Sequence, residues 1–342
     1  MTNAVDLGFM PPNTTVNVTS PKLAAVRVGL LAWFDANRRD LPWRRTRDPY
    51  AILVSEVMLQ QTQVDRVLPY YAAFLDRFPT LSALAAAPTS GVIRAWSGLG
   101  YNRRAVNLQR TAQHVVREFR GVFPHTLDAL RQLPGIGPYT AGAIACFAFE
   151  QDVVFVDTNM RRVLHRLFVG VDVPQAVVRD RDLLQIAERV LPRGQGWSWN
   201  QALIEFGAIQ CTARKPACVV CPLQANCEAY PAIQTVIATL PRAARAKAEI
   251  PFERSNRFYR GRIVAALRDL PTNTTTTGID LETLGRRVRD DFSDADVPWL
   301  YDLVRDLTRD GLARAAEDSP PYDATGGAES PPDPKQIRVT LP

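Results

Sequence analysis

The chain has 342 residues, with 46% apolar and 22% charged side chains, a globular composition that excludes a wholly disordered protein. Forty-one Lys and Arg against 35 Asp and Glu give +6, a modest basic excess that permits a polyanionic partner without requiring one. No apolar run approaches the ~20 residues that span a bilayer. The first Lys is Lys22, and the segment before it contains PPNTT, so no secretory signal is expected there. The expectation is a soluble cytoplasmic protein with no membrane contact.

Residues 1–21 are Thr-, Asn- and Pro-rich and are expected to be disordered. From Leu23 the pattern is helical, in LAAVRVGLLAWFDANRRD. In DPYAILVSEVMLQQTQVDRVLPYYAAFLDRF, Asp48 is an N-cap with Pro49 at the first helical position, and Pro69 is expected to start or kink the next helix. Short helices then alternate with Pro and Gly breaks. TAGAIACFAF is almost wholly apolar, so it reads as a buried helix. Strand signals are nearly absent, and 22–228 reads as one all-α unit, two-lobed around a cleft. Residues 229–250, basic and Ala-rich, read as a linker. In 251–342 three amphipathic segments precede two strand-like ones, LARAAE and QIRVTLP, separated by a low-complexity loop at 317–335. That order predicts a small winged-helix-like domain, with a helical domain carrying a disordered tail as the alternative. Its bases Arg257, Arg260, Arg262, Arg286 and Arg287 are expected to face phosphates, and the domain is expected to be separable.

Five cysteines are too few and too unevenly placed for a disulfide framework. Cys146 stands alone. Cys211, Cys218, Cys221 and Cys227 form a C-x6-C-x2-C-x5-C array that can surround one compact cofactor. Tetrahedral zinc usually pairs two CxxC units, and only 218–221 is one, so the spacing fits a 4Fe-4S cube better. Arg214 and Lys215 inside the first loop are either solvated charges or phosphate contacts.

Three further patterns carry chemistry. LPGIGPYT, between TLDALRQL and the apolar helix, reads as a helix–hairpin–helix or as an ordinary Gly/Pro turn. Gly135 and Gly137 permit positive φ, and amides at a helix start favour a phosphate. Two carboxylates stand in apolar surroundings: Glu56 among Val54, Val57, Met58 and Leu59, and Asp157 after VVFV. Either can be a structural cap. As a pair, burial would make Glu56 a general acid while a hydrogen-bonded Asp157 stays ionised, which suits cleavage of a glycosidic bond. Gln60, Gln61, Thr62 and Gln63 close an apolar helix with amides that end it in solvent or fill a duplex that a base has left.

Taken in order, LPW, SEVMLQQTQV, GLGY, LPGIGPYTAGAI, VDTN, NQALIEFGA and the four cysteines resemble the MutY-type adenine DNA glycosylases of the helix–hairpin–helix superfamily, over residues 25–230. The resemblance implies a two-lobed α-helical enzyme with a 4Fe-4S cluster. It implies removal of adenine mispaired with 8-oxoguanine or guanine in double-stranded DNA, by a monomer. Carried over, Glu56 protonates the leaving adenine and Asp157 stabilises the oxocarbenium-like sugar, with Tyr139 and Asn159 in support. Arg39, Trp43, Arg44, Leu59 and Gln201 line the adenine pocket, and Gln61 and Tyr101 wedge into the duplex. Related bifunctional lyases carry Lys where Tyr139 stands, and Tyr forms no imine, so a monofunctional glycosylase is expected. Thr158 stands where the family has Gly, and Asn102 where it has a second Tyr. Residues 251–342 are too short and too helical for the Nudix-like reader of many members. The alternatives are a T:G mismatch glycosylase of the same superfamily and a non-catalytic DNA-binding protein.

Overall fold

A computed structural model describes residues 18–173, 176, 178–240, 251–271, 278–317 and 337–342. The expected disordered N-terminus lies outside these up to residue 17, as do residues 241–250 of the linker and nearly all of the loop 317–335. Two compact units emerge. The first takes the described parts of Met1–Glu56, Pro124–Gln132 and Ile136–Ala244; the second takes those of Val57–Phe123, Leu133–Gly135 and Arg245–Pro342.

In the first unit, α1 (Ser20–Asn37) buries Val26, Leu30 and Phe34, one residue per helical turn, against α11 (Gly196–Glu205). α2 (Pro49–Leu59) starts as the sequence indicates: the Asp48 carboxylate accepts the backbone N–H groups of Tyr50 and Ala51 at 3.0 and 3.3 Å. α7 (Leu127–Arg131) packs on α8 (Pro138–Phe147), whose residues from Thr140 to Phe147 are all buried. α9 (Thr158–Phe168) packs on α10 (Asp180–Val190), on α11 and on the π-helical turn Phe206–Gln210 that extends α11 to the first clustered cysteine. The stretch read as a linker begins later than expected. Ala229 is buried and α12 (Ala232–Thr239) is a helix, because Ile233 has an apolar seat.

In the second unit, α3 (Val64–Arg77) contains Pro69 in its interior, so that proline does not start the helix. α4 (Leu81–Ala86) and α5 (Thr89–Ala95) pack on α6 (Arg103–Phe119). The C-terminal part orders as α13 (Asn256–Arg268), β1 (Ile279–Asp280), α14 (Leu281–Val288), α15 (Val297–Arg309), β2 (Arg314–Glu317) and β3 (Ile337–Thr340). Its antiparallel sheet has the order β1-β3-β2, with Val339 paired to Ile279 on one side and Ala315 on the other. β1 went unseen in the sequence because two residues carry no period.

This C-terminal part is not separable. Ile93 of α5 and Val106 of α6 belong to the same buried cluster as Val264, Leu267, Leu284, Val304 and Val339. Arg94 Nη2 donates to the Leu270 carbonyl at 3.0 Å, and the Ser90 N–H donates to the Pro342 carbonyl at 3.0 Å. Exposing a side chain such as Ile93 costs roughly 1.5–3 kcal/mol, so removing 251–342 would injure the helices left behind.

Arg104 organises two turns of this unit, at 57–62 and at 99–100. Its buried guanidinium donates from Nη1 to the carbonyls of Val57, Met58 and Gln60 at 2.7–2.9 Å. From Nη2 it donates to Thr62 Oγ1, Leu99 O and Gly100 O at 3.2–3.3 Å. One cation thus caps the C-terminal end of α2 and fixes the GLGY turn. Burial lowers its pKa to about 10, so it stays charged at neutral pH. Arg104→Met keeps the apolar stem and strips the donors. The expected result is a fall in the urea midpoint equivalent to at least about 3 kcal/mol; an unchanged midpoint would show that these carbonyls find other donors.

Candidate active site

The two suspected carboxylates come together. Glu56, on α2, is 8% exposed, and the Tyr139 hydroxyl on α8 donates a hydrogen bond to its carboxylate. Asp157 is the N-cap of α9, and its Oδ1 accepts the Met160 N–H at 2.7 Å. Its Oδ2 accepts Asn159 Nδ2 at 3.2 Å. The N-cap role is thus filled, and the same carboxylate stands within electrostatic reach of Glu56. Thr158 is the first residue of α9 and is not among the positive-φ positions of the described chain, so the loss of the family's glycine costs nothing there.

Burial pushes the Glu56 carboxyl up to about 7, with the Asp157 charge adding to it and the Tyr139 hydrogen bond pulling the other way. Asp157 is also raised by burial, which the sequence did not anticipate. Three groups hold it back: the Met160 amide, Asn159 and the charge of Arg162. Against its burial Glu56 has only a tyrosine hydroxyl, so of the two carboxyls Glu56 is the better placed to keep a proton. Burial and the two carboxylates together raise Tyr139 well above its usual value, which keeps it a neutral donor.

A second buried carboxylate, Glu205 at the end of α11, was missed. It is fully buried and accepts Arg39 Nε and Nη2, both at 2.8 Å, and Arg44 Nη2 at 2.9 Å. Burial alone would raise its pKa, but the two arginines outweigh it and hold it at about 2. Arg44 Nε also donates to Gln201 Oε1 at 2.8 Å. Three expected pocket residues, Arg39, Arg44 and Gln201, thus form one network, with Trp43 buried in the turn between the arginines. The signal for Glu205 was available: a lone acid in ALIEFG, the same anomaly that marked Glu56. Leu59 is half-buried on α2, three residues beyond Glu56 and hence on its face.

The hairpin needs a smaller correction. Gly135 has φ +78° and a Cβ there would meet Asn107 at 2.9 Å, so glycine is required. Gly137 has φ −87° as the N-cap of α8; its backbone does not need glycine, and the space where a Cβ would sit is open. Gln61 and Tyr101, the expected wedges, are both exposed and both at positive φ, +55° and +47°.

The four cysteines line one cavity together with Arg166, Phe206, Gln210 and Tyr230. Among the described residues no three His, Cys, Asp or Glu side chains converge to hold a single metal ion. Four thiols around one cavity can hold a polynuclear cluster. Arg166 supplies positive charge, with Nη1 3.6 Å from Cys211 Sγ, and donates to the carbonyls of Thr212 and Ala213. Arg162 links the two sites: its Nε donates to the Cys211 carbonyl at 2.7 Å, and its Nη2 to Asn159 Oδ1 at 2.8 Å. Arg214 and Lys215 are exposed. Cys146 lies apart in α8 beside Asn200, with burial raising it to about 12.

The family profile of the HhH-GPD superfamily base excision DNA repair proteins matches residues 54–189, and that of the iron–sulfur binding domain of endonuclease III matches 211–227. Fold and site thus define a helix–hairpin–helix base excision repair protein whose cofactor is a 4Fe-4S cluster. An adenine DNA glycosylase of Mycolicibacterium smegmatis is 43% identical over 255 residues, 74% of this chain and 84% of that protein. The mouse adenine DNA glycosylase is also 43% identical, over 62% of this chain but only 43% of its own length. A thermostable thymine-DNA glycosylase structure superposes with TM-score 0.58 at 32% identity, covering 63% of this chain and 99% of that one. The chain belongs to the family of MutY-type adenine DNA glycosylases.

Glu56 sets a stability cost with a definite sign. Its folded pKa of about 7 lies above the ordinary 4.5, so the native state loses stability as pH rises through that window. Glu56→Gln should therefore stabilise the protein by up to about 3 kcal/mol at pH 8, with the gain vanishing below pH 4.5, as read from thermal midpoints. A gain that does not change with pH would mean that Glu56 is not perturbed.

Iron analysis checks the cluster. Cys218→Ser should lose iron and the broad visible absorbance, and Cys146→Ala should keep both. Stoichiometric zinc in the wild type would decide for the tetrahedral site.

Proposed function

We propose that this protein is a monofunctional DNA glycosylase that removes adenine mispaired with 8-oxoguanine or guanine in duplex DNA, acting as a monomer where genomic DNA is held. The carrying observation is the pairing of a Glu56 that holds its proton to about pH 7 with a capped, hydrogen-bonded Asp157. The adenine must leave the stack to be reached. Glu56 then gives its proton to a ring nitrogen of the extruded base. The glycosidic bond breaks with its electron pair going to adenine, and the Asp157 carboxylate balances the developing oxocarbenium charge. Water adds at C1′, its proton returns to Glu56, and an abasic sugar is left. Tyr139 holds Glu56 in position, and Asn159 holds Asp157.

The remaining parts support the same reading. The open N-terminus of α8 behind Gly137 offers amides to a phosphate. The Arg39–Arg44–Glu205–Gln201 network gives the base pocket a rigid polar wall. Cys211, Cys218, Cys221 and Cys227 would hold the 4Fe-4S cluster, and ligation by four thiolates would crosslink the 211–227 loop. We also infer that 251–342 are a winged-helix domain, supported by the element order α13-β1-α14-α15-β2-β3. Arg260 pairs with Asp310 and Arg286 with Glu282, so these two expected phosphate contacts are neutralised within the domain.

Single-turnover excision on A:8-oxoG, A:G and T:G duplexes tests the assignment. Adenine should be released from the first two, leaving an uncleaved abasic strand until alkali is added. Thymine release alone would favour the thymine-mismatch activity. Glu56→Gln and Asp157→Asn should each lower the rate by roughly 10²–10⁴-fold with duplex binding retained. The wild-type rate should fall about tenfold per pH unit above about 7, as Glu56 loses its proton. A Glu56→Gln enzyme with more than about a tenth of the wild-type rate would remove Glu56 as the acid.

A further inference from the structure

Two of the three departures from the family pattern, Asn102 and the C-terminal domain, meet in space. Asn102, which replaces a tyrosine, accepts a hydrogen bond of 2.6 Å from Arg268 Nη2. Arg268 belongs to α13, in the domain that stands where a Nudix-like reader is expected. The same guanidinium donates from Nε to the Ile93 carbonyl at 3.1 Å and from Nη1 to Ser97 Oγ at 3.4 Å. In the first turn of α13, Arg257 lays its guanidinium over the Tyr101 ring, 4.4 Å from its centroid. The C-terminal domain therefore grips the GLGYN turn from residue 97 to residue 102.

Tyr101 is a shaped feature. Its φ of +47° is a left-handed backbone that costs a non-glycine residue roughly 1–2 kcal/mol. The turn is held in that form from inside by Arg104, which donates to Leu99 and Gly100 and lies 5.5 Å from the same ring. The ring is nevertheless 42% exposed. A large aromatic kept exposed on a strained backbone is presented to something.

Arg257 is presented with it. Its face is occupied by the ring, which leaves the N–H edges of the fork turned outward. Among the described residues no carboxylate pairs with it. Its neighbours differ: Arg260 is held by Asp310, and Arg289 by Asp291 and Asp296. The exposed face of α15 is balanced by the pairs Arg305–Asp302 and Arg309–Asp306, so the third helix of this domain does not offer a basic surface.

We propose that the C-terminal domain completes the duplex wedge: Arg257, stacked on Tyr101, takes a backbone phosphate at the point where that tyrosine enters the DNA. A stacked guanidinium is pre-organised for the planar, two-pronged contact that phosphate oxygens accept. The domain acts through this one contact, and its pairing to Asn102 sets where the contact falls. This rests on the reading of the chain as a duplex-DNA glycosylase.

The test is the salt dependence of binding to a duplex carrying a tetrahydrofuran abasic analogue, measured by fluorescence anisotropy on the full chain. Losing one phosphate contact lowers the slope of log K against log [NaCl] by about 0.9. Arg257→Ala should show that loss, with affinity weakened several-fold to about the same extent opposite 8-oxoguanine, guanine and cytosine. Arg257→Lys should keep the slope and recover most of the affinity. Arg305→Ala should leave both unchanged. An Arg257→Ala slope equal to the wild type would overturn the proposal. So would an affinity loss confined to one opposing base, which marks base readout. Binding is read apart from excision: a wild type that binds with the expected Arg257 dependence yet releases no adenine would overturn the assigned activity and leave this contact standing.

Discussion

Helix α9 is the member on which the site is built. At its N-terminus Asp157 both caps the helix and faces Glu56; one turn later Arg162 reaches from Asn159 to the Cys211 carbonyl. A further turn on, Arg166 holds the carbonyls of Thr212 and Ala213 and approaches the Cys211 sulfur. The cysteine loop and the Asp157 carboxylate are thus fixed to one helix. A continuous chain of hydrogen bonds runs from the Cys211 carbonyl through Arg162 and Asn159 to Asp157. The cluster can matter to activity in this way without touching substrate.

In the first unit Glu56, Asp157 and Glu205 show how partners set the charge of a carboxylate withdrawn from solvent. Glu205 is surrounded by arginines and stays charged. Glu56 receives one tyrosine hydroxyl and no cation, so it keeps its proton. Asp157 lies between them, raised by burial and restrained by the amides at the start of its own helix. The side chains are chemically alike, and their partners assign the roles. The cost is borne by Glu56, whose burial destabilises the fold wherever the carboxyl ionises.

In the second unit a similar economy holds. Arg104 spends one buried cation on six acceptors and so sets both the LQQTQ and the GLGYN turns. Arg268 ties the second of these turns to the C-terminal domain. The domain and α5–α6 share one core, which is why it folds with the helices from 57 to 123 and not as an appendage.

The sequence by itself determined the helical class, the start of α2, the clustering of four cysteines, and the two acids Glu56 and Asp157 as out of place in their apolar strings. These follow from local rules: periodicity, an Asp–Pro cap, cysteine spacing, and acids in apolar strings. It also set the three helices and two strands of the C-terminal part. Tertiary structure decided the rest. That Asp157 is raised, that Arg39 and Arg44 serve Glu205, and that Gly137 needs no positive φ depend on neighbours far away in sequence. Pro69 lies within a helix because its neighbours Val67, Tyr71 and Phe74 have a core to enter. The division of the chain into units, with 251–342 joined to α5 and α6, depends on apolar faces pairing across more than 150 residues. Local pattern shows that such a face exists; only packing shows which partner it takes.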